Sequence, residues 1–262
     1  MRIIAKKSLG QNFLFDKNII NKIIDCSKIQ NKNILEIGPG TGNLTKEIIK
    51  RKPKKILLIE KDTKLLNLLK KQFSKNIIFI NEDVLKVNEN LLSEEKLTVF
   101  GNLPYNISTE ILIKWILNLD NKVWFEKLIL MFQKEVADRI ISEFNTSTYG
   151  RLSIICNWRL NIKKIIDIKP SSFKPKPKVE STLLIFTPKE KFFKLNSPKT
   201  IEKITRIFFN QKRKKIKKSF NHLFGNANLV AEKLRIDLNL RPQNLNFEDY
   251  YSIAKEFENL RN

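Results

Sequence analysis

The stretch ILEIGPGTGNLT, residues 34–45, joins a short apolar run to a helical pattern through a turn that contains three glycines. An apolar strand followed at once by a helix is typical of a parallel sheet that is covered on both faces. Glycines such as Gly38 and Gly40 let the backbone approach a ligand closely. Their spacing, G-x-G-x-G, differs from the G-x-G-x-x-G of dinucleotide-binding loops. The stretch therefore predicts an α/β fold with a ligand site at this turn, but it does not identify the ligand.

The same alternation of strand and helix continues along most of the chain. Apolar runs predict strands at 34–37, 56–59, 77–80, 98–100, 128–131, 162–168 and 181–187. Helical patterns separate them near 18–30, 44–51, 62–73, 109–118 and 134–143. The connection 169–180 is too short for a crossover helix, so the last two strands should pair antiparallel.

After about residue 190 the pattern becomes helical only. Helices are predicted at 198–210, 212–224, 226–236 and 246–260. We therefore expect an α/β domain over residues 1–189, mostly parallel with antiparallel final strands, and a small all-α domain over residues 190–262.

The composition excludes several kinds of chemistry. His222 is the single histidine, so catalysis by Ser-His-Asp or by Cys-His and a two-histidine metal site are each nearly excluded. Cys26 and Cys156 lie far apart and outside any CxxC pattern, so neither a disulfide nor a metal site is expected. No apolar run is long enough to span a bilayer, and the N-terminus lacks the apolar region of a signal peptide. We expect a monomeric, cytoplasmic protein that needs no metal.

The net charge of +23 is unevenly distributed. Residues 151–262 hold 25 basic and 10 acidic side chains, a net +15, whereas residues 1–150 hold 25 and 17, a net +8. One interpretation is compositional bias, since Lys, Asn and Ile are abundant throughout and lysines commonly solvate helix faces. The other is that the field attracts a polyanion, with RNA or DNA as the first candidate.

Polar side chains follow three successive predicted strands. Glu60 follows the second strand, and a carboxylate there can accept two hydrogen bonds from a ribose diol. Asp83 follows the third and could accept from an adenine amine, and Asn102 follows the fourth. Ligands of open α/β sheets bind at the carboxyl ends of the strands. This order suits an adenosine ligand whose reactive end faces Asn102, and S-adenosylmethionine fits that description.

The stretch VFGNLPYNIS, residues 99–108, predicts what the site does. The side-chain oxygen of Asn102 and the main-chain carbonyl of Leu103 could hold the two N–H groups of an adenine amine and favour a pyramidal nitrogen. Pro104 would stiffen these acceptors and Tyr105 could stack on a flipped base. The alternative is a strand-ending turn with a core tyrosine.

Two later stretches suggest contacts with nucleic acid. In SSFKPKPKVES, residues 171–181, two prolines force an extended loop that carries Lys174 and Lys176. Phe173 is either a second wall for the base or an anchor of the loop in the core. In FNQKRKKIKKSF, residues 209–220, a phosphate-binding face and a solvated helix face are both possible. The candidates for phosphate contacts are Lys212, Arg213, Lys215 and Lys217.

Nearly the whole chain resembles the ribosomal RNA adenine N6-dimethyltransferases, most closely the KsgA branch. The shared stretches are KKSLGQNFL (6–14), LEIGPGTGNLT (35–45), IEKD (59–62), NEDVL (81–85), FGNLPYNIS (100–108), QKEVADRI (133–140), YGRLSI (149–154), SSFKPKPKVESTL (171–183) and FNQKRKKIKKSF (209–220).

The resemblance implies a Rossmann-like class I methyltransferase domain that uses S-adenosylmethionine. It also implies a target of adjacent adenines in a loop of 16S ribosomal RNA, within the small ribosomal subunit or its precursor. The implied cofactor contacts are Asn12, Leu14, Gly38, Glu60, Asp83 and Asn102, and Gly40 of the same glycine loop joins them.

Three alternatives remain at this point. An Erm-type enzyme would methylate large-subunit RNA, and NLPYNI together with the C-terminal basic stretch argues against it. A DNA adenine methyltransferase would more often have proline in place of Leu103. A nucleic-acid-binding factor of the same fold could retain the site residues without catalysis.

Overall fold

The computed structural model describes residue 6 and residues 10–73, 76–119 and 123–261. Its strands are β1 Phe13–Leu14, β2 Asn33–Ile37, β3 Lys55–Ile59, β4 Ile77–Ile80, β5 Leu97–Gly101, β6 Phe125–Gln133, β7 Leu160–Ile168, β8 Phe173–Lys174 and β9 Ser181–Pro188. Its helices are α1 Lys17–Ile24, α2 Asn43–Lys50, α3 Thr63–Gln72, α4 Ser108–Leu117, α5 Lys134–Ile140, α6 Arg151–Arg159, α7 Pro198–Phe209, α8 Lys217–Leu223, α9 Ala227–Leu234 and α10 Phe247–Asn259.

Seven of the strands form one sheet in the order β4-β3-β2-β5-β6-β9-β7. The neighbours from β4 to β6 are parallel, and β9 lies antiparallel to β6. Every residue of the central strands β2 and β5 is buried, as expected where helices cover both faces. The predicted α/β class, mostly parallel with antiparallel final strands, is confirmed.

The apolar runs of the sequence become the core of this sheet. Ile34 of β2, Leu58 of β3 and Phe100 of β5 are fully shielded from solvent and belong to one core cluster. The seven predicted strands are all present, although β6 is longer than the predicted 128–131. Two neighbouring strands, β7 and β9, flank the connection 169–180 as the sequence predicted.

Three features differ from the prediction. The sequence missed α6 because nearly all of its side chains are buried, which leaves no amphipathic stripe. It also missed β1 and β8, which pair antiparallel with each other and are too short to show a period. The first helix ends at Ile24 instead of continuing to residue 30.

The predicted helix 212–224 is wrong in its first five residues. Residues 210–213 form turns, and α8 begins only at Lys217. The ammonium group of Lys212 donates to the carbonyl oxygens of Ser147 at 2.7 Å and Tyr149 at 3.2 Å. The basic side chains of residues 212–218 therefore do not all lie on one helix.

The chain divides into two compact units. The first comprises the chain up to Trp115, Leu119–Ala137 and Ile162–Pro188, and it contains most of the sheet. The second comprises Ile116–Asn118, Asp138–Asn161 and Lys189–Asn262. In the second unit α6 packs against α7 and α10. The two contiguous domains expected from the sequence, 1–189 and 190–262, stay a prediction. Among the described residues, no helix combines the length and the apolar character needed to cross a bilayer.

Candidate active site

The order of the strands creates a crevice at the carboxyl ends of β2 and β5. The chain leaves β2 toward β3 and β4, and it then returns to β5 on the opposite side of β2. Ligands of open α/β sheets bind at such a reversal. A cleft with about 930 Å³ of empty space lies here. It is lined by residues 10–13, 82–85 and 102–107 and by Gly38, Gly40, Glu60 and Lys61.

The glycine loop after β2 forms one wall of the cleft. Gly38, Gly40 and Gly42 have φ angles of +63°, +58° and +79°, which other residues rarely adopt. A Cβ atom on Gly40 would lie 2.7 Å from the ring of Phe13. Glycine is therefore required both by the backbone conformation and by the close approach of the N-terminal segment.

Glu60 is held in place by the loops around it. Its carboxylate accepts from the main-chain N–H of Gly40 at 3.2 Å and of Asp62 at 2.9 Å. The side chain is 6% exposed, and burial raises the pKa of the carboxyl. The sequence predicted a ribose acceptor here but missed the bond to the glycine loop. Because a carboxylate accepts about four hydrogen bonds, Glu60 keeps capacity for a ligand.

Asp83 also lines the cleft, as an ionised acceptor. Its Oδ1 accepts from the N–H of Leu85 at 3.0 Å, and its Oδ2 pairs with the ammonium of Lys61 at 2.7 Å. The hydrogen bond from Lys61 is the largest cause that lowers the pKa of Asp83. Lys61 is part of the stretch IEKD, but its pairing with Asp83 was not predicted from the sequence.

A buried brace supports the segment that follows Asp83. Lys114 of α4 donates to the carbonyl oxygens of Val84 at 2.9 Å and Val87 at 2.5 Å, and to Glu89 at 2.8 Å. The indole N–H of Trp115 donates to the same Glu89 oxygen at 2.7 Å. This brace connects the cleft wall at residues 82–85 with the helix that begins just after residues 102–107. No motif in the sequence indicated it.

Asn102 presents its side-chain oxygen as an acceptor. Its Nδ2 donates to the main-chain oxygen of Asn12 at 2.7 Å, which fixes the orientation of the amide. Leu103 lines the cleft, although the residue as a whole is only 1% exposed. Pro104 lines the cleft between them and Tyr105. The four residues predicted to act in catalysis thus lie on the same wall.

The ring of Tyr105 is positioned through its hydroxyl group. The hydroxyl and that of Ser181 in β9 are 2.5 Å apart. Burial is the main cause that raises the pKa of Tyr105. The phenol is therefore neutral near pH 7 and does not act as a base, which agrees with a stacking role.

The N-terminal segment closes one side of the cleft. Asn12 lines the cleft, whereas Leu14 is 5% exposed and its carbonyl oxygen accepts from Asn43 at 2.8 Å. Lys6 pairs with the buried Asp62 at 2.8 Å. Residues 7–9 of the stretch KKSLGQNFL lie outside the described residues.

A buried carboxyl group lies below the glycine loop. Glu36 of β2 accepts from the hydroxyl of Thr45 at 2.7 Å. Burial raises its pKa to about 8. It lines a small cavity together with Leu14, Gly38 and Asn102. Glu36 was not predicted to have a role, because the sequence pattern does not distinguish it from other polar residues within strands.

The residues predicted to contact RNA lie in different environments. Phe173 is 2% exposed and belongs to the core, in register with Leu14, so this structure shows the anchor that was the alternative interpretation. Its role as a wall for a base stays a prediction and requires the ring to become exposed. Lys174 and Lys176 are exposed on the loop.

The basic residues after position 210 also divide into two groups. Lys212 is bonded to main-chain oxygens, and Lys215 donates to the side chain of Asn239 at 2.8 Å. Arg213 and Lys217 are exposed.

Known proteins resemble this chain over its whole length. The family model described as "Ribosomal RNA adenine dimethylase" matches residues 3–259. The ribosomal RNA small subunit methyltransferase A of Pelagibacter ubique is 62% identical over 261 residues, which is 100% of both chains. The protein of the same name from Wolbachia sp. subsp. Drosophila simulans is 40% identical over 97% of this chain and 93% of its own.

Solved structures agree with these relatives. A dimethyladenosine transferase from Plasmodium falciparum superposes with a TM-score of 0.79 at 29% identity, over 94% of this chain and 98% of its own. The 23S rRNA methyltransferase ErmE gives a TM-score of 0.69 at 21% identity, over 95% and 100%, and shows that the fold is shared. With the family model matched from residue 3 to residue 259, this chain belongs to the ribosomal RNA adenine dimethylase family.

Proposed function

We propose that this chain transfers methyl groups from S-adenosylmethionine to N6 of adjacent adenines in a loop of 16S ribosomal RNA. The observation that carries the proposal is the orientation of Asn102, whose Nδ2 is occupied by Asn12 so that its oxygen remains to accept from an amine. The full-length likeness to a ribosomal RNA small subunit methyltransferase supports the choice of RNA.

The residues of the cleft fit the adenosine part of the cofactor. Glu60 offers a buried carboxylate with unused acceptor capacity for ribose hydroxyls, and Asp83 is kept ionised by Lys61 to accept from an amine. The glycine loop borders the same cleft through Gly38 and Gly40. S-adenosylmethionine, once bound, supplies a methyl group on a positively charged sulfur.

The protein's contribution to the transfer is to orient the accepting nitrogen. The lone pair of the exocyclic nitrogen of adenine is delocalised into the ring, so the amine is a weak nucleophile. Acceptors at Asn102 Oδ1 and the carbonyl of Leu103 hold its two N–H groups and favour a pyramidal nitrogen. Preorganised acceptors of this kind stabilise the transition state more than the ground state.

Both methyl transfers can use the same acceptors. After the first transfer the nitrogen retains one N–H, so a single acceptor is enough to orient it for the second. No protein base is needed, because the proton can leave to water after each methyl group has been transferred. This agrees with a Tyr105 phenol whose pKa is raised by burial.

The proposed partner is 16S ribosomal RNA within the small ribosomal subunit or its precursor. A base in an unpaired loop is inexpensive to unstack and can enter a cleft beside an aromatic ring. Action as a monomer is part of the proposal. We place the reaction in the cytoplasm, where the small subunit is assembled.

Methyl transfer from labelled cofactor tests the proposal. Small subunits that lack the modification should accept label into N6-dimethyladenine, whereas large subunits and the Asn102→Ala variant should give little. Label that enters large subunits instead would favour the Erm-type reaction. Binding of RNA without any transfer would favour a non-catalytic factor.

A further inference from the structure

An exposed aromatic ring follows the strand that borders the cleft. Phe15 comes directly after β1 and is 51% exposed. Two other phenylalanines, Phe144 and Phe193, are exposed to 44% and 38%. Single exposed apolar residues are common and need no explanation by themselves. The position of Phe15 is what distinguishes it.

Phe15 lies two residues beyond Phe13, a residue of the cleft, in the same extended segment. Phe13 lines the cleft, and Leu14, the next residue, is buried. Since side chains of a strand alternate between faces, Phe15 projects on the side of Phe13, about 6–7 Å further along the chain. The N–H of Phe15 donates to the carbonyl oxygen of Ser172 at 3.1 Å, which extends the pairing of β1 with β8. The ring therefore stands on a fixed backbone.

Several lysines lie close to this position in the chain or in the register of the two strands. Lys174 lies opposite Phe13 in the register of the two strands and is exposed. Lys176 and Lys178 follow on the same loop, and Lys17 begins α1. The carboxylate of Asp16, the next residue in the chain, accepts from Asn18, Ile19 and Ser172 as the cap of α1. The four lysines outnumber this carboxylate, so the charge near the ring is net positive.

We propose that Phe15 stacks on an unpaired nucleotide that flanks the target adenine, with neighbouring phosphates facing Lys174 and Lys176. An exposed aromatic ring among cations is the combination with which proteins bind single-stranded nucleic acid. The inference rests on the proposed function, in which an RNA adenine enters the cleft. The contact holds the strand without reading its sequence, since every base has a face on which a ring can stack.

Substitution of Phe15 measures the contact. Phe15→Ala should weaken binding to unmethylated small subunits by roughly 5- to 150-fold, the range expected for losing one stacked base. Phe15→Trp should bind at least as well as the unchanged protein, and Phe15→Leu should bind poorly because it keeps apolar area without a ring. The slope of log affinity against log salt should stay the same, because no charge is removed. S-adenosylmethionine affinity should also stay the same, because Phe15 does not line the cleft.

Phe144→Ala is the matched control, since it removes a similarly exposed ring far along the chain. Equal RNA affinities for Phe15→Ala and Phe144→Ala, with normal melting curves, would overturn the inference. Normal binding by Phe15→Leu would also overturn it, because the contact would then be apolar and not aromatic. If the unchanged protein methylates small subunits while Phe15→Ala binds normally, only this inference fails. If the unchanged protein transfers no methyl groups, the proposed function fails.

Discussion

Polar side chains of the cleft are buried or fixed by hydrogen bonds, whereas several in the basic segment 212–218 are exposed to solvent. In the cleft Glu60 is 6% exposed, and Asn102 and Tyr105 are each fixed by a hydrogen bond to another part of the chain. In the basic segment Arg213 and Lys217 extend into solvent. Salt screens exposed charges but hardly affects buried contacts. We therefore expect large, salt-independent effects from the cleft and small, salt-dependent effects from the segment.

The largest effect should come from Asn102. Asn102→Ala removes the acceptor that matters most as the amine becomes pyramidal, so turnover should fall by roughly 10²–10³. The measurement is the single-turnover rate at saturating cofactor, because the residue also lines the cofactor cleft. Asn118→Ala, an exposed asparagine outside the cleft, is the control. Near-normal rates for Asn102→Ala would show that the cleft does not act through this amide.

The next largest effect should come from the ring of Tyr105. Tyr105→Ala removes the stacking surface, and we expect turnover to fall by about tenfold or more, since a base stacked on an aromatic ring contributes about 1–3 kcal/mol. Tyr105→Phe keeps the ring and loses only the bond to Ser181, so its loss should be smaller. Ser181→Ala breaks the same bond, and the double variant should be no worse than either single variant. A phenylalanine variant as inactive as the alanine variant would contradict stacking.

The sequence predicted the parts of the cleft that follow from local rules. Strands appear as apolar runs, and whatever follows each run must lie at the same edge of a parallel sheet. This places Glu60, Asp83 and Asn102 together without any knowledge of tertiary contacts. Contacts between distant segments were not predictable in this way. Lys114 reaches Glu89, and Tyr105 reaches Ser181 across 76 positions, through side chains that show no pattern in the sequence.

The basic segment was harder to predict for a different reason. A run of lysines with one apolar residue fits a helix face, but the ammonium of Lys212 gains main-chain acceptors in a turn instead. Phe173 posed a similar problem, because an aromatic residue beside prolines and lysines suits both a binding loop and a core anchor. Only its register opposite Leu14 shows which one this structure adopts.

Glu60 should affect cofactor binding instead of turnover, and less strongly than Asn102 affects turnover. Each hydrogen bond to its carboxylate contributes about 1.5–3 kcal/mol, so Glu60→Ala should weaken S-adenosylmethionine binding at least tenfold. Calorimetry measures this directly, with the exposed Glu94→Ala as control. A melting curve shows whether loss of the bonds to Gly40 and Asp62 also disturbs the loop. Unchanged affinity in a folded variant would remove Glu60 from the cofactor site.

The smallest effect per residue should come from the basic segment. Lys212 and Lys215 hold bonds within the protein, so the exposed residues around them give a cleaner test than the set that the sequence suggested. The variant replaces Arg213, Lys214, Lys217 and Lys218 with Gln. If all four contact phosphates, the slope of log affinity against log salt should flatten by about three, at 0.7–0.9 per contact. Affinity for S-adenosylmethionine should not change.

Lowering the positive net charge could by itself weaken RNA binding. The control must therefore remove the same number of positive charges elsewhere on the protein. Replacing the exposed Lys50, Lys64, Lys70 and Lys71 with Gln lowers the net charge by the same four units. Counterions are released only where side chains lie against phosphates, so this variant should leave the slope nearly unchanged if the segment is a binding surface. Equal slopes in the two variants would mean that the lysines act only through the overall field. The RNA contacts would then have to lie elsewhere, and the loop that carries Lys174 and Lys176 would be the next surface to test.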